Sequence, residues 1–113
     1  MNQDTQPIGD DLNIYGDVKY ILTLIDESIQ STSWLLNDGV HRIGRIQDYE
    51  ILLDDITVSR QHGIITVDDD ILEIKDENST NGIFVNGVLI KEEILKPGDR
   101  LQIGKYVLLV VKV

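Results

Sequence analysis

No alanine occurs anywhere in this chain, while isoleucine, valine and leucine recur in short bursts between turn-forming residues. Alanine is the strongest helix former and β-branched residues favour strands, so the chain is poor in helix material and rich in sheet material. Strands are expected at Tyr20 to Ile25, Ser33 to Leu36, Val40 to Arg45, Ile51 to Leu53, Gly63 to Val67, Ile71 to Lys75, Ile83 to Val85, Val88 to Ile90, Arg100 to Ile103 and Tyr106 to Lys112. The breaks carry turn chemistry: Asn37-Asp38-Gly39, Asp68-Asp69-Asp70 and Pro97-Gly98-Asp99 lie between strands. Asn86-Gly87 is a two-residue linker of the kind a type I′ hairpin demands. Many short strands at this spacing close into an all-β sandwich or barrel. The stretch left for a helix is Asp26 to Ser31, and Ser28 and the β-branched chemistry there disfavour one. Neither an internal repeat nor a second domain is visible.

Composition narrows the class of function. The 113 residues are 42% hydrophobic and 27% charged, enough for one core, and a domain of this length buries roughly two-thirds of its unfolded surface without a metal or disulfide staple. There is no cysteine, which removes thiol catalysis, thiolate metal sites and disulfides. An intracellular, cytoplasmic location is expected. The longest apolar run, Val107 to Val111, is far short of a membrane span, and the N-terminal region carries acids where a signal peptide carries bases. The net charge of −10 argues against nucleic acid as a partner, because neutralising phosphates along a duplex needs clustered Lys and Arg. Residues 1–18 hold Asp4, Asp10, Asp11 and Asp17 with no base, together with Pro7, Gly9 and Gly16, and read as a flexible, disordered acidic tail. Three of the four arginines, Arg42, Arg45 and Arg60, fall in one short span, which makes a basic spot in an acidic protein.

Three local patterns stand out: Gly44-Arg45, then Ser59-Arg60-Gln61-His62, then Ser79-Thr80-Asn81-Gly82 followed by Val85-Asn86-Gly87. In this order and on an all-β background they resemble the motif of the forkhead-associated (FHA) family: a Gly-Arg, a Ser-x-x-His and an Asn-Gly-x-x-Val-Asn-Gly. The resemblance covers about Tyr20 to Val113, placing the FHA domain at residues 19–113. It implies an eleven-stranded β-sandwich whose loops at one end bind a phosphothreonine peptide. The stretches Leu53 to His62 and Leu101 to Leu108 also resemble small bacterial single-FHA regulators of the glycogen accumulation regulator type.

The residue chemistry supports that expectation independently. Phosphothreonine presents a charge of about −2 and three acceptor oxygens, so a selective site needs a guanidinium fork, a hydroxyl and backbone N–H groups converging on a small volume. Arg45 is the fork: it follows Gly44, whose missing side chain lets a strand end turn closely, and a planar guanidinium suits phosphate better than a flexible lysine. Arg42, outside the motif, is expected to be an ordinary surface arginine. Ser59 supplies a hydroxyl and a backbone N–H, and the resemblance makes it the second phosphate contact. It gives the same task to Arg60, whose alternative is a salt bridge to Asp54 or Asp55. Thr80 offers a hydroxyl and an N–H to the phosphate, and Asn81, both donor and acceptor, can clamp the peptide backbone; the alternative for both is turn chemistry. His62, three residues from Ser59 on a tight loop, is expected to bury its ring and pin the Ser59 loop, which is also what the resemblance implies. Gly82, Gly87 and Asn86 are read as conformational supports of the site.

Other chemistries fit poorly. Ser59 and His62 are half of a hydrolase triad, but their spacing is inconvenient for proton transfer, and no enzyme activity is expected. His41 is the single other histidine, so no histidine-rich metal site can be assembled, and neither a metal nor a cofactor is expected. Asp68-Asp69-Asp70 lacks the spacing, glycine and glutamate of a calcium loop. Asp54 and Asp55 lie beside no nucleophile, there is no Gly-x-x-x-x-Gly-Lys loop, and the sequon at Asn78 has no meaning without export. The expected function is therefore a phosphothreonine-binding adaptor or regulator downstream of a Ser/Thr kinase, its partner the phosphorylated kinase or its substrates, with no membrane partner. The alternative is a phospho-switched regulator in which Thr5, followed three residues later by Ile8, is phosphorylated and self-docks, partner enzymes being bound without phosphate. A tail about a dozen residues long would place Thr5 near the fold at about millimolar effective concentration. Residues 1–18 lack the tandem-threonine motif of the regulators named above, and Thr5 is their one threonine.

Overall fold

A computed structural model of the chain describes residues 17–25 and 32–113. Thr5, most of the acidic stretch 1–18 and the 26–31 stretch lie outside the described residues. The described residues form eleven strands: β1 (Val18–Ile25), β2 (Ser33–Asn37), β3 (Gly39–Gly44), β4 (Ile51–Leu52), β5 (Gly63–Asp68), β6 (Ile71–Asp76), β7 (Ile83–Val85), β8 (Val88–Ile90), β9 (Glu92–Leu95), β10 (Arg100–Ile103) and β11 (Tyr106–Lys112). They make a six-stranded sheet in the order β2-β1-β11-β10-β7-β8 and a five-stranded sheet in the order β4-β3-β5-β6-β9. Pairing is antiparallel except between β3 and β4, where Ile43 faces Ile51 and Gly44 faces Leu52.

The two sheets close over one core, and period-two alternation decides which side chains enter it. Tyr20, Leu22, Leu36, Leu101, Ile103, Leu108 and Val110 come from the six-stranded sheet; Ile43, Ile51, Ile65, Val67, Leu72 and Ile74 come from the other. Their outward neighbours differ between sheets. On β6, Glu73 and Lys75 face water, alternating with buried Leu72 and Ile74.

Ten of the eleven strands follow from apolar clustering and turn signals; β9 does not. Its sequence is Glu92-Glu93-Ile94-Leu95, and Leu95 alone is buried, opposite Leu72 of β6. An edge strand with charged side chains is a common guard against edge-to-edge pairing, and it erases the apolar pattern that would announce a strand. Several strand boundaries also move by one or two residues, most of them outward; two move inward. Arg45 lies beyond the end of β3 and Leu53 beyond the end of β4. Asn86 and Gly87 both have positive φ, 50° and 84°, as a type I′ hairpin turn requires.

The register sends the connections to two ends. The Asp69–Asp70 turn and the Asn86–Gly87 turn lie at one end. The β3–β4, β4–β5, β6–β7 and β10–β11 connections lie at the other, where they touch one another.

Candidate functional site

Gly44 is where the site begins. A Cβ there would sit 2.0 Å from the Arg60 carbonyl oxygen, so only glycine lets the β4–β5 loop lie against the end of β3. Across that close contact the Arg45 N–H reaches the carbonyls of Ser59 (3.2 Å) and Arg60 (3.0 Å), and His62 N–H donates to Ile43 O. The Arg45 side chain is exposed and its Nε donates to Val58 O at 2.9 Å. Arg60 is exposed as well. Among the described residues neither arginine enters an ion pair; Asp55 pairs with Lys105 instead, at 3.2 Å. The alternative of Arg60 bound to Asp54 or Asp55 is therefore not adopted.

His62 is fully buried and joins two loops. Its Nδ1 accepts the Ser59 backbone N–H at 3.0 Å, and its Nε2 faces Gly82 O at 2.8 Å. An Nδ1 that accepts must carry a lone pair, so Nε2 carries the proton and donates to Gly82. Both ring nitrogens are thus engaged with backbone, and the imidazole does not contact the Ser59 hydroxyl. That hydroxyl oxygen accepts the Thr80 N–H at 3.0 Å. Two donors expected to face the phosphate, the N–H groups of Ser59 and Thr80, are instead consumed in holding the loops together. Thr80, Arg45 and Arg60 are exposed and Ser59 is half-exposed, and among the described residues the hydroxyl hydrogens of Ser59 and Thr80, the Arg60 guanidinium and the Arg45 Nη groups are left without a partner.

Asn81 is exposed, and its Nδ2 donates to Thr57 O at 2.9 Å, leaving its side-chain oxygen toward solvent. Thr57 itself was not singled out by sequence, although Asp55-Ile56-Thr57 has the two-residue spacing of an Asx turn. Asp55 accepts from the Thr57 N–H (3.0 Å) and hydroxyl (2.6 Å), and the Thr57 hydroxyl oxygen accepts Lys105 N–H at 2.9 Å. The Thr57 hydrogen bonds, with help from Lys105, lower the Asp55 carboxyl to about 2. A second buttress holds the β6–β7 loop: the Ser79 hydroxyl donates to Asp76, accepts the Gly82 N–H at 2.9 Å, and Ser79 N–H also reaches Asp76. Gly82 has φ of 78°.

Arg45, Ser59, Arg60, Thr80 and Asn81 therefore meet at one end, with Gly44, His62 and Gly82 behind them. Asn86 and Gly87 do not join them. They sit at the far end of β7, where the Asn86 amide donates to Asp99 (2.9 Å) and its carbonyl accepts Arg100 N–H (2.9 Å). Arg42 lies on the outward face of β3, apart from the cluster. His41 is buried between Glu50 and Asn37 O, both at 2.8 Å. Among the described residues no group of His, Asp and Glu side chains could hold a metal ion. No helix among them is long and apolar enough to cross a membrane.

The model of the FHA domain family matches residues 41–104. The glycogen accumulation regulator GarA of Mycobacterium tuberculosis is 37% identical over 73 residues, 65% of this chain and 45% of that protein. An oxoglutarate dehydrogenase inhibitor of Corynebacterium diphtheriae is 38% identical over 79 residues, 70% of this chain and 55% of that protein. The chain thus spans about half the length of these relatives, whose names are those of a regulator and an inhibitor. Among solved structures, one from a study of phosphothreonine-dependent FHA domain interactions is 35% identical, covers 84% of this chain and 97% of that chain, and superposes with a TM-score of 0.78.

Proposed function

The chain belongs to the FHA domain family, and from that membership we propose that it is a phosphothreonine-peptide-binding signalling module, an adaptor or regulator downstream of a Ser/Thr kinase. FHA domains bind phosphothreonine peptides. In this reading residues 19–113 are the binding domain and residues 1–18 a tail outside it, the protein acts in the cytoplasm, and it carries no catalytic activity of its own. Arg45, Ser59, Arg60 and Thr80 hold the phosphate, and Asn81 takes the peptide backbone. The observation that carries the proposal is that the loops bearing Arg45, Ser59, Arg60 and Thr80 are locked together by His62 and by the Thr80–Ser59 hydrogen bond, with neither arginine in an ion pair among the described residues.

The geometry gives each group a task. Arg45 has its Nε anchored to Val58 O, so its two Nη groups can present a fork to two phosphate oxygens without first ordering the side chain. Arg60 adds a second positive charge, and the Ser59 hydroxyl, its oxygen occupied by Thr80, is left with its hydrogen to donate. The arrangement suits His62 as a scaffold, because a general base needs a free lone pair near the nucleophile and its one lone pair is taken by a backbone N–H.

The test is a titration of a peptide library degenerate on both sides of a central residue, in phosphothreonine, phosphoserine and threonine versions. Binding is expected for the phosphothreonine version, and Arg45→Ala should weaken it about 10- to 100-fold, as for one charge-assisted hydrogen bond of about 1.5–3 kcal/mol. Equal binding of the threonine version, or undiminished binding by a folded Arg45→Ala protein, would overturn the proposal.

A further inference from the structure

The outer face of the six-stranded sheet is apolar in row after row. Its register sets three lines of outward side chains across the strands. One runs Leu35, Ile21, Val111 and the middle one Ser33, Thr23, Leu109, Arg100. The third runs Ile25, Val107, Gln102, Phe84, Leu89. The alternate positions on these strands are the ones that enter the core, so none of the apolar residues in the rows belongs to it. Leu35, Ile25 and Leu89 are 45%, 41% and 62% exposed, and Ile21, Val107, Leu109, Val111 and Phe84 are half-buried side by side between them.

An antiparallel sheet with one face on a core ordinarily turns polar residues to water on the other. The five-stranded sheet does so: its outer rows read Arg42, Ile64, Lys75, Glu92 and Val40, Thr66, Glu73, Ile94, with charge in each. The six-stranded sheet has instead the composition of one packed on both sides, and a contiguous apolar surface of this kind marks a contact. No acid stands in any of its three rows, in a chain whose net charge is −10.

We propose that this face is a self-association surface, on which a second copy of the chain stacks its own six-stranded sheet about a two-fold axis. Shape, area and charge select that occupant. Sheets of equal twist pack face to face about 10 Å apart with their strands about 30° from aligned, so the surface is complementary to its own copy. Strands about 4.8 Å apart, crossed by rows about 7 Å apart, make a footprint of about 500 Å² on each copy, and a specific contact needs about 1,000 Å² in all. Two chains of net charge −10 repel through every acid-bearing surface, whereas this face brings together aliphatic rows with one cation, Arg100, at the end of the middle row. The loops bearing Arg45 and Ser59 lie at the strand ends and not on this face, so pairing leaves both candidate phosphate sites open. The proposal does not rest on the phosphothreonine reading.

The experiment is sedimentation velocity of the full chain at about 1 to 300 µM in about 0.15 M salt, where the 12.8 kDa species should give way to one of twice the mass as concentration rises. Thr23→Lys sets a charge in the middle row against apolar side chains and its own copy, and should raise the dissociation constant at least about tenfold with the melting temperature unchanged. Thr66→Lys, the same change on the other outer face, should leave association unaltered. Raising salt from about 0.05 to 0.5 M should tighten the dimer by screening its net charge. In the wild-type protein the resonances of Ile21, Leu109 and Val111 should move with concentration while those of Ile64 and Thr66 stay fixed. A chain monomeric throughout, whether the face is bare or covered by residues 1–16, would overturn the proposal. So would a dimer that Thr23→Lys does not weaken, one that salt dissociates, or one whose shifts fall on the five-stranded sheet.

Discussion

Gly44 shows how one missing atom organises a site. Strand β3 could end in any residue if its end were free, but the Arg60 carbonyl occupies the place of a Cβ. A methyl group 2.0 Å from that oxygen must push the 59–60 segment away, breaking the two hydrogen bonds from Arg45 N–H and moving both Ser59 and Arg60. Overpacking of this kind costs about 1–3 kcal/mol. Gly44→Ala should therefore lower unfolding free energy by about that amount in urea titrations and also weaken phosphopeptide binding at temperatures where the variant is fully folded. A variant that loses stability without losing affinity would show that the Ser59–Arg60 segment is not part of the site. Arg42→Ala, on the outward face of β3, should change neither.

The connection between β4 and β5 depends on elements distant in the chain. Asp55 and Thr57 form a local turn, and Lys105 from the β10–β11 connection closes over both, with its N–H on the Thr57 hydroxyl and its ammonium on Asp55. Since the folded carboxyl lies at about 2, below the ordinary value near 4, the charged form is the one the fold favours. Its contribution is fully present above about pH 4 and is lost as pH falls from about 4 to about 2. In denaturation series at pH 6, 4, 3 and 2, the stability gap between wild type and Asp55→Asn should be largest at pH 6 and narrow through that window. A gap independent of pH would mean that the Thr57 and Lys105 contacts do not favour the carboxylate. The β9 strand teaches the complementary lesson: its pairing with β6 is made by backbone, so its two glutamates do not prevent it.

Charge is unevenly shared over the molecule. The strands of the six-stranded sheet carry Lys19, Arg100 and Lys112 and no acid, whereas β5, β6 and β9 carry Asp68, Glu73, Asp76, Glu92 and Glu93 against Lys75 alone. The Asp69–Asp70 turn, at the end away from Arg45 and Arg60, is met by Lys19 and Lys112. At low salt a ligand approaches the field of a −10 chain; at about 0.15 M the Debye length shrinks to about 8 Å and only the site end is felt. Stopped-flow association of a phosphothreonine peptide with acidic flanks should therefore speed up as ionic strength rises from about 0.01 to 0.15 M, and that of one with basic flanks should slow. Identical salt dependence for both would show that the net charge does not reach the site.

The all-β class, ten of the strands and the hairpin at Asn86-Gly87 were legible from residue order, because alternation and turn chemistry are properties of neighbours in the chain; the grouping of Arg45, Ser59, Arg60, Thr80 and Asn81 was implied by the resemblance of their motifs to those of the FHA family. The acidic edge strand β9 was not, since its one buried residue leaves no period to read. Nor was the use made of each donor. The Thr80–Ser59, Asn81–Thr57 and Lys105–Thr57 hydrogen bonds join residues 21, 24 and 48 positions apart. Such pairings follow from which strand ends the two sheets bring together, and they decided that the Ser59 and Thr80 N–H groups brace the loops, that Arg45 and Arg60 enter no ion pair among the described residues, and that Asn86 and Gly87 belong to the opposite end.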